Sequence, residues 1–330
     1  MDNKKVTSAL YNNKKIVCLG GGIGTSVLIH GLKKYSQHIT VVTSMADDGG
    51  SSGRLRKEYN IMPPGDMVSC IAALIEDENK ELASLLTYRF PGKSLENKII
   101  DGHKLGNFIM LAELLRTGNI YKALEATKQM FGVKADILPA SDVRTHLSAI
   151  TNDGRRIHGE TALDIPKYGE KYGLKKVYLT PKSPKVNPKV IKNLLSADVI
   201  ISGPGDLYTN QLPVLIIPEI KEILLKKKCR KIFVLNIANK PFETKNFTLL
   251  DFVDTITKHL GVFPFDTIFA NSNTSVKIPA KYKKYKYIKT DEKPLDPKQN
   301  FSVLLNDVVN KELPIYHDSS KLAKAIAENI

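Results

Sequence analysis

Ile16-Val17-Cys18-Leu19-Gly20-Gly21-Gly22-Ile23-Gly24-Thr25-Ser26 places a wholly apolar run directly before a cluster of glycines, and the fold turns on this stretch. A short run without polar interruption suits a strand buried on both faces. The glycines let the chain turn at once and bring backbone close to whatever lies beyond the strand end. Thr25 to Lys34 then reads as a helix with Val27, Leu28 and Leu32 on one face, and Ile39-Thr40-Val41-Val42 reads as a second buried strand. Strand, helix and strand in that order predict a parallel pair joined by a right-handed crossover.

The same grammar continues outward. Helix-period apolar positions recur in Asp66 to Glu76, Glu81 to Tyr88 and Gly106 to Arg116. From about residue 136 the texture changes. Val143 to Thr151 alternates apolar and polar residues, and Asn152-Asp153-Gly154 marks a hairpin before Arg155 to Glu160. Val177-Tyr178-Leu179, Val199-Ile200-Ile201, Ile232-Phe233-Val234-Leu235 and Thr267-Ile268-Phe269-Ala270 then read as further strands of the parallel pattern. Asn187-Pro188 and Asp318 carry the residue types that start helices. The predicted architecture is α/β: a doubly wound, Rossmann-like, mostly parallel sheet with a helical and β-hairpin insertion. A single domain is expected over 14–330, with its core in 14–135 and 176–275, the antiparallel insertion in 136–175 and a C-terminal segment in 276–330.

Composition fits a globular chain: 330 residues, 42% hydrophobic and 25% charged. Met1 to Lys15 lacks the apolar run of a signal peptide, and no stretch has the length of a membrane span. Cys18, Cys70 and Cys229 are far apart and form no C-x-x-C pair, which points to a reducing, cytoplasmic setting without a zinc centre. The net charge of +15 invites a search for anionic partners. Lys226 to Lys231 reads as a helix end, where lysines suit the negative pole of the dipole. Lys277 to Lys289 interleaves Tyr282, Tyr285 and Tyr287 with lysines. Such a mixture is compatible with nucleic acid, but a solvated basic surface or attraction to a small anionic ligand explains it more simply.

Three polar, glycine-rich loops each follow a predicted buried strand, at the sheet edge where open α/β folds bind ligands. The first is Gly20 to Ser26. Its Gly21, Gly22, Gly24 and Thr25 would hold a phosphate group at a helix N-terminus. Thr25 stands where a dinucleotide fingerprint needs its third glycine, and no lysine makes a P-loop, so NAD is not expected. The second runs from Ala46 to Arg56. Asp47 and Asp48 could hold Mg²⁺ or a ribose hydroxyl, Gly49, Ser51 and Ser52 supply donors, and Arg54 could pair with phosphate. The third, Ser202 to Asn210, offers Gly203, Gly205 and Asp206, and Asn236 follows the next strand. Asp66 reads equally as a helix cap or a site residue. His103 and Asn107 open a helix, where His103 could contact phosphate or move a proton. No nucleophile or general base is recognisable, so catalytic residues stay unassigned.

These segments resemble the gluconeogenesis factor family (YvcK-like proteins), part of the wider CofD-like group of 2-phospho-L-lactate transferases. The matching stretches are Gly20 to Ser26, Ala46 to Arg56, Pro63-Pro64-Gly65-Asp66, Gly102 to Asn107, Leu138-Pro139-Ala140, Gly203-Pro204-Gly205 and His317-Asp318 through Ile326. The resemblance implies a Rossmann-like core. For the YvcK-like branch it implies binding of UDP-sugars such as UDP-N-acetylglucosamine and a role in cell shape and wall synthesis during gluconeogenic growth. For the CofD-like branch it implies Mg²⁺-dependent transfer of a phospholactate group from a nucleotide-activated donor to a deazaflavin. Ile23, Thr25 and Phe242 depart from the family pattern, and the stretch after Asn273 does not align with it. The expected partner is therefore a UDP-sugar or another nucleotide-linked phosphorylated ligand. A homo-oligomer is compatible with the sequence.

Overall fold

The computed structural model describes residues 13–92, 100–165, 173–290 and 300–330. The chain begins with β1 (Ile16–Leu19), α1 (Gly22–Leu32), β2 (Ile39–Thr43), α2 (Gly50–Tyr59), α3 (Gly65–Leu74) and α4 (Lys80–Thr87). It continues through α5 (Leu105–Thr117), α6 (Ile120–Met130), β3 (Asp136–Pro139), β4 (His146–Thr151), β5 (Arg156–His158), α7 (Glu160–Asp164) and β6 (Leu174–Thr180). The second half holds α8 (Pro188–Ser196), β7 (Val199–Ser202), α9 (Leu212–Leu215), α10 (Pro218–Lys226), β8 (Arg230–Val234) and β9 (Ala238–Asn239). It closes with α11 (Leu249–Leu260), β10 (Thr267–Asn271), β11 (Lys286–Tyr287), β12 (Ser302–Asn306) and α12 (Ser319–Ala327).

Seven strands form one parallel sheet in the order β12-β10-β8-β7-β1-β2-β3. Side chains alternate across it. Val17 and Leu19 enter one core and Ile16 and Cys18 the other, each 1% exposed. That two-sided burial is why β1 needs an unbroken apolar run. Full burial of an aliphatic side chain of this size contributes about 1.5–3 kcal/mol. From β1 the chain winds outward to β2 and β3, then returns past β1 to β7 and winds the other way. The order therefore reverses between β1 and β7, and the crevice at their carboxyl ends is the place such sheets offer to ligands.

Several sequence expectations need adjustment. Asp136–Pro139 pairs in parallel with β2 as the sheet's edge, so the antiparallel part begins only at β4. The strand read at Val177 to Leu179 belongs with β4 and β5 in a three-stranded antiparallel sheet. Its alternating burial suits a half-exposed sheet rather than a doubly covered one. β12 pairs with β10, which carries the parallel sheet beyond residue 275. The glycine-serine part of the second loop is already helical, because α2 starts at Gly50. Asn187 caps α8 by accepting from the Lys189 N–H, and Asp318 caps α12 by accepting from the Lys321 N–H. The polar segment 1–12 lies outside the described residues.

Candidate ligand-binding site

Beyond the carboxyl ends of β1, β7 and β8 lies a cavity of about 400 Å³. Gly21, Gly22 and Gly24 of the first loop line it, facing Gly205, Asp206 and Asn236. Close packing of loops explains part of the glycine content. A β-carbon at Gly24 would collide with the Pro204 carbonyl, and one at Gly21 with the Asp66 carboxylate. In the third loop, the Gly205 N–H donates to Asn236 Oδ1 at 3.1 Å, and Gln211 Nε2 donates to the Gly205 carbonyl at 2.7 Å. These bonds fix Gly205 to the segment after β8 and to Gln211.

Asp66 does not cap its helix. It sits in the first turn of α3 and reaches across to accept the Gly22 N–H at Oδ1, 2.9 Å away. Its second oxygen, Oδ2, is buried without a partner. Burial, followed by the charge of Asp47, raises this carboxyl to about 7. Asp47 accepts the Gly49 N–H at 2.8 Å and is itself raised, first by burial. Glu160 comes from α7 to the other side of Gly49; burial, then Asp47, raises it to about 9. Three acids therefore crowd around the first and second loops, with Lys104 acting on Asp66, Arg56 on Asp47 and Lys240 on Glu160; burial lowers the pKa of Lys104 itself.

Asp48 has a different duty. Its carboxylate accepts the N–H groups of Glu160 at 3.0 Å and Thr161 at 2.8 Å, and the Thr161 hydroxyl at 2.9 Å. It therefore caps α7 from another part of the chain. Both of its oxygens are engaged by α7, Oδ2 once and Oδ1 twice. Asp48→Asn should lower stability by about 1 kcal/mol, the size of a helix-cap contribution, while leaving ligand affinity within about threefold. Thermal melts with and without ligand check both parts; a lost ligand response in a folded variant would contradict this assignment.

The other predicted residues separate into groups. Thr25 is buried behind the glycines, its hydroxyl without a partner. Ser52 faces Gly65 and bonds Asp47. Ser51, His103 and Asn107 form a buried cluster away from the cavity lining. Ser51 Oγ is 2.8 Å from His103 Nδ1 and accepts from Asn107 Nδ2 at 2.8 Å, tying α2 to α5. Arg54 donates to the Asp101 carbonyl at 2.5 Å on the exposed side. Gly203 packs under β8, where a β-carbon would stand 2.5 Å from the Val234 carbonyl oxygen.

Sequence reading passes over several residues that the fold brings to the cavity. Lys240 bridges Asp206, at 2.6 Å, and Asp164 of α7. Burial alone would lower its pKa, but Asp206, Glu243 and Asp164 outweigh that and raise it. Buried Glu243 accepts the N–H groups of Tyr208 at 2.6 Å and Thr209 at 2.8 Å with one oxygen. Burial, then Asp206, lifts it to about 8. Tyr285, Tyr316 and His317 complete the wall. The lysine-tyrosine stretch thus contributes a cavity residue, and β11 within it pairs with β9. Lys240 lies in the polar segment after β8, and His317 in the ending that resembles the family, so both had a sequence signal. Asp164 had none. Among the described residues no group of three or more His, Cys, Asp or Glu side chains is placed to hold a metal, and no helix is long and apolar enough to cross a membrane.

Sheet order and cavity define an open α/β protein with a cavity at its topological switch point. Residues 16–312 match the family described as 2-phospho-L-lactate transferase CofD, and the chain belongs to that family. It is 36% identical over 321 residues to the gluconeogenesis factor of Bacillus subtilis, covering 95% of this chain and 97% of the relative. Identity to the gluconeogenesis factor of Halalkalibacterium halodurans is also 36%, over 318 residues and 96% of both chains. A crystal structure of a UPF0052-family protein from Bacillus halodurans superposes with a TM-score of 0.84 at 33% identity, covering 95% of this chain and 98% of that one.

Proposed function

We propose that the cavity binds a nucleotide-linked phosphorylated ligand, a UDP-sugar, and that the protein acts as a regulator rather than a catalyst. The observation that carries this is the meeting of two glycine turns and the start of α1 at the β1–β7 reversal. Backbone N–H groups there suit phosphate, and the volume of about 400 Å³ is in the range of small-molecule sites. Tyr285 and Tyr316 supply flat surface for a base or sugar. The gluconeogenesis factor relatives extend the reading to carbon metabolism, and the family resemblance extends it to cell shape and wall synthesis. A cytoplasmic setting belongs to the same reading, supported by three free cysteines.

Mg²⁺ fits Asp47 with Asp66 better than Asp47 with Asp48, because Asp66 has a buried oxygen without a partner. Two carboxylates and the ligand's own phosphates are the usual donor set for this ion. Bound there, it would neutralise phosphate charge. That carboxylate pair is also what favours the alternative, a transferase of the phospholactate type.

UDP-N-acetylglucosamine should raise the melting temperature, by an amount equivalent to about 2.7 kcal/mol at a hundredfold excess over Kd. GDP and NAD should do less, and labelled UDP-sugar with Mg²⁺ and cell extract should yield no product. A shift with NAD and none with the UDP-sugar at millimolar concentration would refute the ligand assignment. A labelled product would decide for the transferase.

A further inference from the structure

A second cavity, of about 760 Å³, opens on the far side of α7. The short helix is a wall shared by both: Thr161 and Ala162 line this cavity, and Asp164 lines the glycine-rich one. Cationic side chains predominate here. Arg56, Lys57 and Arg144 line it together with His146 and His158, against the single carboxylate of Asp48. That carboxylate is already engaged by three donors of α7.

The two arginines differ in what they leave free. Buried Arg56 lays its guanidinium on neutral acceptors, the carbonyls of Met45 at 3.2 Å, Asp47 at 2.9 Å and Thr145 at 2.5 Å. Those bonds fix it as structure. Half-buried Arg144 has no hydrogen bond or ion pair among the described residues. Burial, then the two arginines, holds the imidazole of His146 below its usual range. Like charges gathered on one partly desolvated wall repel one another, and a bound anion relieves that repulsion.

The geometry points to a second ligand site in this cavity for a small phosphorylated anion, gripped by the guanidinium fork of Arg144 and the ammonium of Lys57. Arginine presents paired donors that match two phosphate oxygens, and lysine adds a mobile point charge. His146 and His158 add ring donors at the same wall. The volume exceeds that of phosphate alone and leaves room for a metabolite carrying it. This site is independent of the UDP-sugar reading, since none of its residues lines the first cavity.

Calorimetric titration of the full chain with inorganic phosphate, and separately with pyrophosphate, tests the site against sodium chloride of equal ionic strength. Saturable binding is expected, at least tenfold weaker in Arg144→Ala, severalfold weaker in Lys57→Ala, and retained in Asn236→Ala. Lys57 is exposed, so its variant keeps the test valid if Arg144→Ala does not fold. The site is refuted if neither anion gives saturable heat beyond the chloride control. Binding that survives both cavity variants refutes it too, as does binding that disappears in Asn236→Ala, which would place the anion among the glycine loops.

Discussion

Replacing Lys240 with methionine is expected to destabilise the protein by about 3 kcal/mol at pH 8, the scale of removing one partner from a buried charge network. Lys240 is 18% exposed and holds Asp164, 28% exposed, against Asp206, 32% exposed. Methionine fills similar volume, so the loss isolates the charge. Without the ammonium, Glu243, which already sits near 8, loses the one cation that lowers its pKa. Glu243 has a folded pKa above its unfolded one, so its contribution favours folding at low pH and is lost as pH rises through about 8. Removing Lys240 raises that pKa further. The gap between wild type and variant should therefore narrow toward pH 5 and widen above pH 8. Denaturant melts across this range measure it, with Lys240→Arg retaining most of the stability. A variant as stable as wild type at pH 8 would show that the network contributes nothing.

The same lysine joins three parts of the chain that are distant in sequence. Asp164 comes from the antiparallel insertion, Asp206 from the loop after β7 and Lys240 from the segment after β8. Asp48 makes a second tie to the insertion by capping α7. Both cavities therefore depend on where α7 sits. The fold holds that short helix with charge from two sides rather than by the apolar burial of Leu163 alone.

What the sequence disclosed follows from this arrangement. Local pattern identified β1, β2, β7, β8 and β10, because a doubly covered strand must be apolar throughout and its glycine turn must follow at once. Cap chemistry located α8 and α12 for the same local reason. Strand order and partner choice are non-local. Leu138-Pro139 looked like the start of the insertion, and only pairing with β2 makes it a sheet edge. The adjacent acids Asp47 and Asp48 are indistinguishable in sequence, yet one faces Asp66 and the other caps α7. Asp66 carried the opposite ambiguity. Its place after Pro63-Pro64-Gly65 fits a cap, and only the approach of Gly22 shows that its carboxylate serves the first loop. Asp164 and Tyr285 join the cavity through tertiary contacts that no spacing rule anticipates.

Asp66→Asn should make the ligand-free, metal-free protein more stable at pH 8 than wild type, by about 2–4 kcal/mol. Asparagine keeps an oxygen for the Gly22 N–H, so the loop retains its 2.9 Å anchor while the charge disappears. The sign follows from the shift. Burial, then Asp47, raises the folded carboxyl from 3.8 to about 7, so the native state holds a proton that the unfolded chain has released. Wild-type stability from this group is complete below about pH 4 and is lost as pH rises through 7. The stabilisation by asparagine should accordingly vanish near pH 4, grow through neutrality and level off above pH 8. Melting curves in EDTA from pH 4 to 9 measure it. Adding Mg²⁺ supplies the contrast. A cation shared by Asp47 and Asp66 should raise the wild-type melting temperature at pH 8 and leave Asp66→Asn unmoved, inverting or closing the gap between them. A variant less stable than wild type at pH 8 in EDTA would mean that the ionised carboxylate is satisfied as it stands. A Mg²⁺ response equal in both proteins would remove Asp66 from the metal assignment.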